Sequence, residues 1–337
     1  MGKKKLNLAL QGGGAHGAFT WGVLDRLLEE KDLEIVGVSG TSAGAVNGTC
    51  LVYGLIQGGN EAARDVLNTF WRKNSDSQLY SPFQPTVFDR LLSRGNIDCN
   101  PFFLGFSLIS KYFSPYQWNP LRINPLRDLL LEVIDFQTIQ GQETYKLFLT
   151  ATNIRTSKVK IFANPDITAD AVCASSCLPH VFQAAEIDGE LYWDGGYIGN
   201  PAIFPLFQNT QCRDLLLIQI DNINYAKTPT QISEISDRAT EISFNSSLMR
   251  EMRAIYFVTQ IIDHGFNDGG RLIKTNIHYI GTGELMNDYN GSSKLNVSWD
   301  WLTYLRDHGR QKADVWVQEC FDLIGEKNSC DVDRLFL

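Results

Sequence analysis

Outside Lys3, Lys4 and Lys5 the sequence has no dense basic tract, and its 337 residues carry a net charge of −8. Such a chain is a poor general partner for a phosphate backbone, so nucleic-acid binding is not expected. No run reaches the roughly 18 apolar residues that span a bilayer. The apolar stretch behind the basic N-terminus is about six residues long before it meets glycines, too short for a secretory signal core. Leu6 also breaks the N-terminal myristoylation pattern. The seven cysteines are odd in number and scattered, so no disulfide framework is expected. Cys173 and Cys177 lack a second Cys/His pair at zinc spacing and read as small packing residues. EF-hand loops and metal-ligand clusters are missing as well, so neither metal nor cofactor is expected. These absences point to a cytoplasmic protein, at most peripheral at membranes, with signal-independent export left open. Sequons begin at Asn47, Asn245, Asn290 and Asn296. They matter only in a secreted protein, and Asn47 is expected to be buried.

What is present begins with LALQGGGAHGAFTWGVLDRL, Leu8 to Leu27. Gly12, Gly14 and Gly17 satisfy G-x-G-x-x-G between an apolar strand pattern and an apolar helix pattern. That context suits a dinucleotide pyrophosphate, but it suits any negative oxygen at a helix N-terminus equally well. The second strand discriminates. After Leu33–Val38 a dinucleotide fold would carry an acidic residue. Here the strand runs into Gly40-Thr41-Ser42-Ala43-Gly44. G-x-S-x-G at a strand-to-helix turn puts a serine on a sharp, strained bend, and the small neighbours let the bend fit. Ser42 is the candidate nucleophile, with Gly40 and Gly44 forming the elbow. The N–H groups of Gly12, Gly13, Gly14 and Ala43 are candidate oxyanion donors.

Serine needs a base. Of the five histidines, His16, His180, His264, His278 and His308, the last three stand late enough to complete a triad, but none of those three has a distinctive setting and each reads as a surface or capping residue. Glu190–Asp194 reads as a strand ending in Asp-Gly-Gly, which offers Asp194 instead. An Asp has an unperturbed pKa of about 4, so it would need shielding, and Tyr192, Trp193 and Tyr197 are compatible with that.

Together these blocks resemble the patatin-like phospholipase family, in its bacterial branch. The resemblance rests on Gly12–Gly17, Gly40–Gly44, the small-residue and proline block Ala174–Pro179, and Asp194–Pro201, and it spans roughly residues 5–220. It implies an α/β, three-layer sandwich with a central, mostly parallel sheet. It also implies a Ser42–Asp194 dyad without histidine, an acyl-enzyme intermediate and calcium-independent hydrolysis of carboxylic esters. The substrate would be an acyl lipid presented at a membrane or lipid surface. Two departures stand out. His16 sits where the family often has Arg or Lys, which weakens the positive field at the loop. Asn200 and Pro201 are adjacent, where the family usually separates them by one residue.

The remainder reads as one domain, 1–337, with a core of about 5–220, a cap insertion of about 70–125 and a C-terminal helical region of about 234–325. From Phe70 to Trp118 about a quarter of the residues are aromatic, against 11% overall. Prolines break the stretch into short helices, which could form a lipid-access surface or an ordinary aromatic core. Leu147–Thr152 with Val159–Phe162 is expected as a strand pair, and Asp214–Ile220 as a buried strand. Glu234–Ile262 and Trp299–Ile324 are expected to be helical, the latter with a break at Gly309. Alternatives are a storage-polyester (polyhydroxyalkanoate) depolymerase or short-chain esterase with the same dyad, and, in another class, a nucleotide-binding protein using the glycine loop.

Overall fold

The computed structural model describes residues 2–77, 83–225, 228–266, 269 and 272–337. Tyr80 and Pro82 of the aromatic stretch lie outside the described residues. The chain opens with β1 (Lys4–Leu10), α1 (Gly17–Leu27), β2 (Leu33–Gly40) and the long α2 (Ala43–Ser77), which kinks at Gly58–Gly59. The kink separates the elbow helix from a second helical segment that runs on to Ser77. Three short helices follow: α3 (Val87–Leu92), α4 (Pro101–Tyr112) and α5 (Pro115–Trp118). Then come α6 (Pro125–Val133), α7 (Phe136–Gln140), β3 (Lys146–Asn153), β4 (Val159–Ala163), α8 (Ala169–Ser175), β5 (Ala185–Ile187) and β6 (Glu190–Asp194). The last third holds α9 (Phe204–Asn209), β7 (Asp214–Gln219), α10 (Ile232–Asp263), β8 (Asn276–Gly281), α11 (Trp299–Cys320) and α12 (Val332–Phe336).

One sheet holds all eight strands, and five of them run parallel in the order β8–β7–β1–β2–β3. Side chains alternate across a strand, and here both faces are covered. Leu6, Leu8 and Leu10 of β1 join Leu216 and Ile218 of β7 in a core with α1, α2 and α11. Ala9 joins Leu215 and Leu217 in a second core with α9, α10 and α12. Helices on both faces of a mostly parallel sheet make the expected three layers. They also explain why these strands read as near-continuous apolar runs rather than alternating ones.

Two expectations need correction. α11 runs unbroken through Gly309. A Cβ there would lie 2.1 Å from the Phe19 carbonyl oxygen, so the glycine lets α1 and α11 pack closely and does not end a helix. His278 is neither a surface nor a capping residue: it is fully buried, 3.0 Å from Asp214. Among the described residues, no helix is long and apolar enough to cross a membrane.

The register around β3 positions the site. Phe148 and Leu149 pair with both β2 and β4, so those two strands lie on opposite edges of β3. Ala151 and Thr152 pair with both β4 and β6. Hence β6 continues along the edge that β2 has just left. Gly40 faces Leu149 and Asp194 faces Ala151. The end of β2 and the end of β6 therefore meet, two residues apart along β3.

Candidate active site

At the end of β2, Ser42 takes φ 55, a left-handed conformation that a non-glycine residue adopts at some cost. Packing enforces it. A Cβ on Gly40 would lie 2.3 Å from the Gly44 carbonyl oxygen, and one on Gly44 would lie 2.1 Å from that of Leu10. No larger residue allows the strand-to-helix bend this tightness. The Ser42 N–H donates to Ser175 Oγ at 3.0 Å, and Ser175 Oγ donates to the Thr150 carbonyl at 2.7 Å. A hydroxyl from α8 thus fastens the elbow to β3. In the sequence Ser175 is one of several small residues in the block Ala174–Pro179, and nothing local marks it for this contact.

Asp194 is fully buried. Its backbone N–H donates to Cys177, and its carbonyl accepts from Thr152 Oγ1. Its Oδ1 accepts the Gly196 N–H at 2.7 Å. Oδ2 lacks a full hydrogen bond, and the Ser42 hydroxyl is close enough to act on the carboxyl. Burial pushes the Asp194 pKa from 3.8 up to about 6, against the pull of the Gly196 N–H, the Ser42 hydroxyl and Lys294.

The glycine loop lies beside the elbow, since β1 and β2 are neighbours. Gly13, Gly14 and Ala43 line the same cavity as Ser42 and Asp194, and their N–H groups have no acceptor among the described residues. Gly12 differs. Its N–H donates to Asn200 Oδ1 at 2.8 Å, so it is spent on the scaffold and not free for an oxyanion. A Cβ at Gly12 would lie 2.7 Å from the Ser42 Cβ, so Gly12 lets the loop rest on the elbow. Asn200, next to Pro201, is itself fully buried and ties the loop to the segment behind Asp194.

His16 is buried, with Nε2 2.7 Å from Ser293 Oγ. Burial, and then the charge of Lys294, hold its pKa well below the usual value. The imidazole is neutral, as the sequence implied, but the loop is not without a cation. Lys294 lines the same cavity as Ser42 and Asp194 and pairs with the nearly fully buried Asp221 at 2.8 Å. Burial alone would lower the Lys294 pKa, but Asp221, Glu241 and Asp237 outweigh it and raise the pKa. No motif marks Lys294 in the sequence. It stands 252 residues after Ser42 and reaches the site through the turn before α11, so only the fold reveals it. None of the five histidines lines the cavity.

The cavity has a volume of about 750 Å³. Its wall is mostly apolar, with Trp71, Phe106, Trp118, Leu178, Phe182 and Phe244 among the lining residues. Phe83, Phe106 and Trp118 form a chain of edge-on rings, with centroids 5.4 and 5.5 Å apart. Two polar groups in this wall, Trp118 Nε1 and Ser176 Oγ, have no hydrogen-bond partner among the described residues. Among the described residues no group of three or more His, Cys, Asp or Glu side chains is arranged to hold a metal ion.

The sequence model of patatin-like phospholipases matches residues 8–207, a span that holds the loop, the elbow and Asp194. No curated protein matches the chain. Among solved structures it is similar to VipD from Legionella pneumophila, at 13% identity and a TM-score of 0.44, over 94% of this chain and 67% of that one. It is also similar to the ExoU–SpcU complex from the type III secretion system of Pseudomonas aeruginosa, at 15% identity and a TM-score of 0.33. That match covers 96% of this chain but 62% of the other, so the chain spans less than two thirds of its length.

Proposed function

The chain belongs to the patatin-like phospholipase family, a family of lipid hydrolases, and on that premise we propose that it cleaves carboxylic esters of acyl lipids with Ser42 as nucleophile and Asp194 as base. One observation carries the reading. A serine on a strained elbow and a buried carboxylate with one uncommitted oxygen share one apolar cavity.

The chemistry follows from these positions. Asp194 Oδ2 takes the Ser42 proton as Oγ attacks the ester carbonyl. The N–H groups of Gly13, Gly14 and Ala43 hold the tetrahedral oxyanion, and α2 adds the positive end of its dipole. The alcohol leaves with the proton held by Asp194. Asp194 then deprotonates a water that attacks the acyl-enzyme, and fatty acid is released with Ser42 reprotonated. A carboxyl pKa of about 6 makes Asp194 a stronger base than an exposed aspartate, yet leaves it ionised at neutral pH. Lys294 supplies the positive field that His16 does not. The dyad provides both nucleophile and base, so activity is proposed to be independent of calcium. The same dyad would serve a polyester or a short-chain ester, but the apolar wall favours a long acyl chain.

A fluorophosphonate probe tests the assignment. Peptide mass mapping should find the adduct on Ser42, with labelling abolished in Ser42→Ala and strongly slowed in Asp194→Asn. An adduct elsewhere, or equal labelling of all three proteins, would remove the dyad.

A further inference from the structure

A helix on a water-exposed surface turns its apolar side inward. α3 does the reverse, and α4 is apolar on both its inner and its outer side. In α3 the buried residue is Asp89, whose carboxylate accepts from the Thr86 and Cys99 N–H groups. Val87, Phe88, Leu91 and Leu92 are each 69–77% exposed. In α4 no residue is buried. Phe103, Phe106, Ser107 and Ser110 are half-buried, whereas Phe102, Leu104, Leu108, Ile109 and Tyr112 face water. Thirteen of the twenty-three exposed large hydrophobic side chains among the described residues lie between Val87 and Ile123. Such a concentration marks an interaction surface.

Two observations select its partner. The first is continuity with the catalytic cavity. Phe106 of α4 lines that cavity with Phe83, Trp118 and Ile123, so the exposed patch is the outer side of the cavity wall. The second is charge. Residues 83–124 carry Arg90, Arg94, Lys111 and Arg122 against only Asp98 and the buried Asp89, in a chain of net charge −8. Arg90 also meets Asp300 at 3.4 Å and Arg122 meets Glu186 at 3.9 Å, in exposed pairs that water screens and that an anionic surface can replace. A second copy of the chain would bring the same cations to the seam.

We propose that α3, α4 and the segment through Ile123 form a docking surface for an anionic lipid bilayer. The exposed leucines and phenylalanines enter the acyl layer, the tyrosines sit at the headgroup level, and the four cations meet the anionic headgroups. This rests on the reading of Ser42 as a lipid hydrolase, because it gives an acyl ester a route from bilayer to cavity.

The test uses Leu91→Gln with Leu108→Gln. Both side chains are exposed and neither lines the cavity. Sedimentation is measured with vesicles of phosphatidylcholine and phosphatidylglycerol in equal parts, and of phosphatidylcholine alone, in a Ser42→Ala background so that the vesicles stay intact. The parent should bind the mixed vesicles about tenfold more tightly than the neutral ones, and the double variant should lose about tenfold or more. With Ser42 restored, the double variant should hydrolyse a soluble butyrate ester as wild type does. The docking surface is overturned if the parent does not bind mixed vesicles or if the double variant binds equally well. A concentration-dependent dimer that the double variant dissolves would overturn it too. Vesicle binding without hydrolysis of any ester by the Ser42 protein would keep the surface and overturn the hydrolase.

Discussion

Asp194→Asn should make the protein inactive and, above pH 6, more stable. The carboxyl titrates at about 6 in the folded chain because burial disfavours its charge, against 3.8 when exposed. Between those values the folded state holds a proton that the unfolded state has lost, so wild-type stability falls as pH rises through the window. The move from 3.8 to about 6 is worth about 3 kcal/mol across the whole window. Asparagine does not titrate. Its Oδ1 can still accept the Gly196 N–H, and its Nδ2 replaces the oxygen that lacks a full hydrogen bond. Urea denaturation of both proteins from pH 4 to pH 8 isolates the effect, because all other groups cancel in the difference. Relative to its value at pH 4, the difference should move in favour of the variant by about 2.5 kcal/mol and level off above about pH 7. A difference that does not change with pH would refute the reasoning, because the carboxyl would then not be held out of water by the fold.

Other consequences follow from the same geometry. For a soluble ester, kcat/KM should rise with pH through an apparent pKa of about 6 and then plateau, since Asp194 must be ionised to act as base; a flat profile from pH 4 to 8 would place the base elsewhere. Lys294→Met removes a charge that lowers the Asp194 pKa, so the acid limb of that profile should move to higher pH. The same change leaves Asp221 without its ion-pair partner and should cost on the order of 2 kcal/mol in a thermal melt, reduced from the fully buried case because Lys294 keeps some solvent. Adding Asp221→Asn should recover the stability but not the pH limb. Ser175→Ala deprives the Ser42 N–H of its acceptor and the Thr150 carbonyl of a donor. It should cost about 1–3 kcal/mol of stability and lower kcat more than it raises KM, because it loosens the elbow and not the acyl wall.

Much of the frame was legible in the sequence because the local signals agree with the global fold. β1 and β2 read as apolar runs, glycines mark each turn, and the helix after each turn carries its own apolar pattern. Gly309 shows the limit. A glycine inside a helix pattern reads as a break, and only the Phe19 carbonyl packed against it reveals a close crossing. His278 shows it again, since its partner Asp214 lies 64 residues away and nothing near either residue hints at the pair. In the candidate site, the glycines, Ser42 and Asp194 were readable because a strained turn demands small residues at fixed spacing. The limits within the site were not. Gly12 fits the donor pattern as well as Gly13 does, and only the Asn200 side chain distinguishes them. Lys294 and Ser175 act through contacts made by remote segments, and such contacts leave no local trace. The outward apolar sides of α3 and α4 were also hidden, since aromatic richness fits a core and a lipid surface equally well.

The most direct measurement is fatty-acid release from mixed phospholipid vesicles with EDTA present, comparing wild type, Ser42→Ala and Asp194→Asn. The account predicts release by wild type alone. Equal release by all three proteins, or release by wild type that EDTA abolishes, would contradict it.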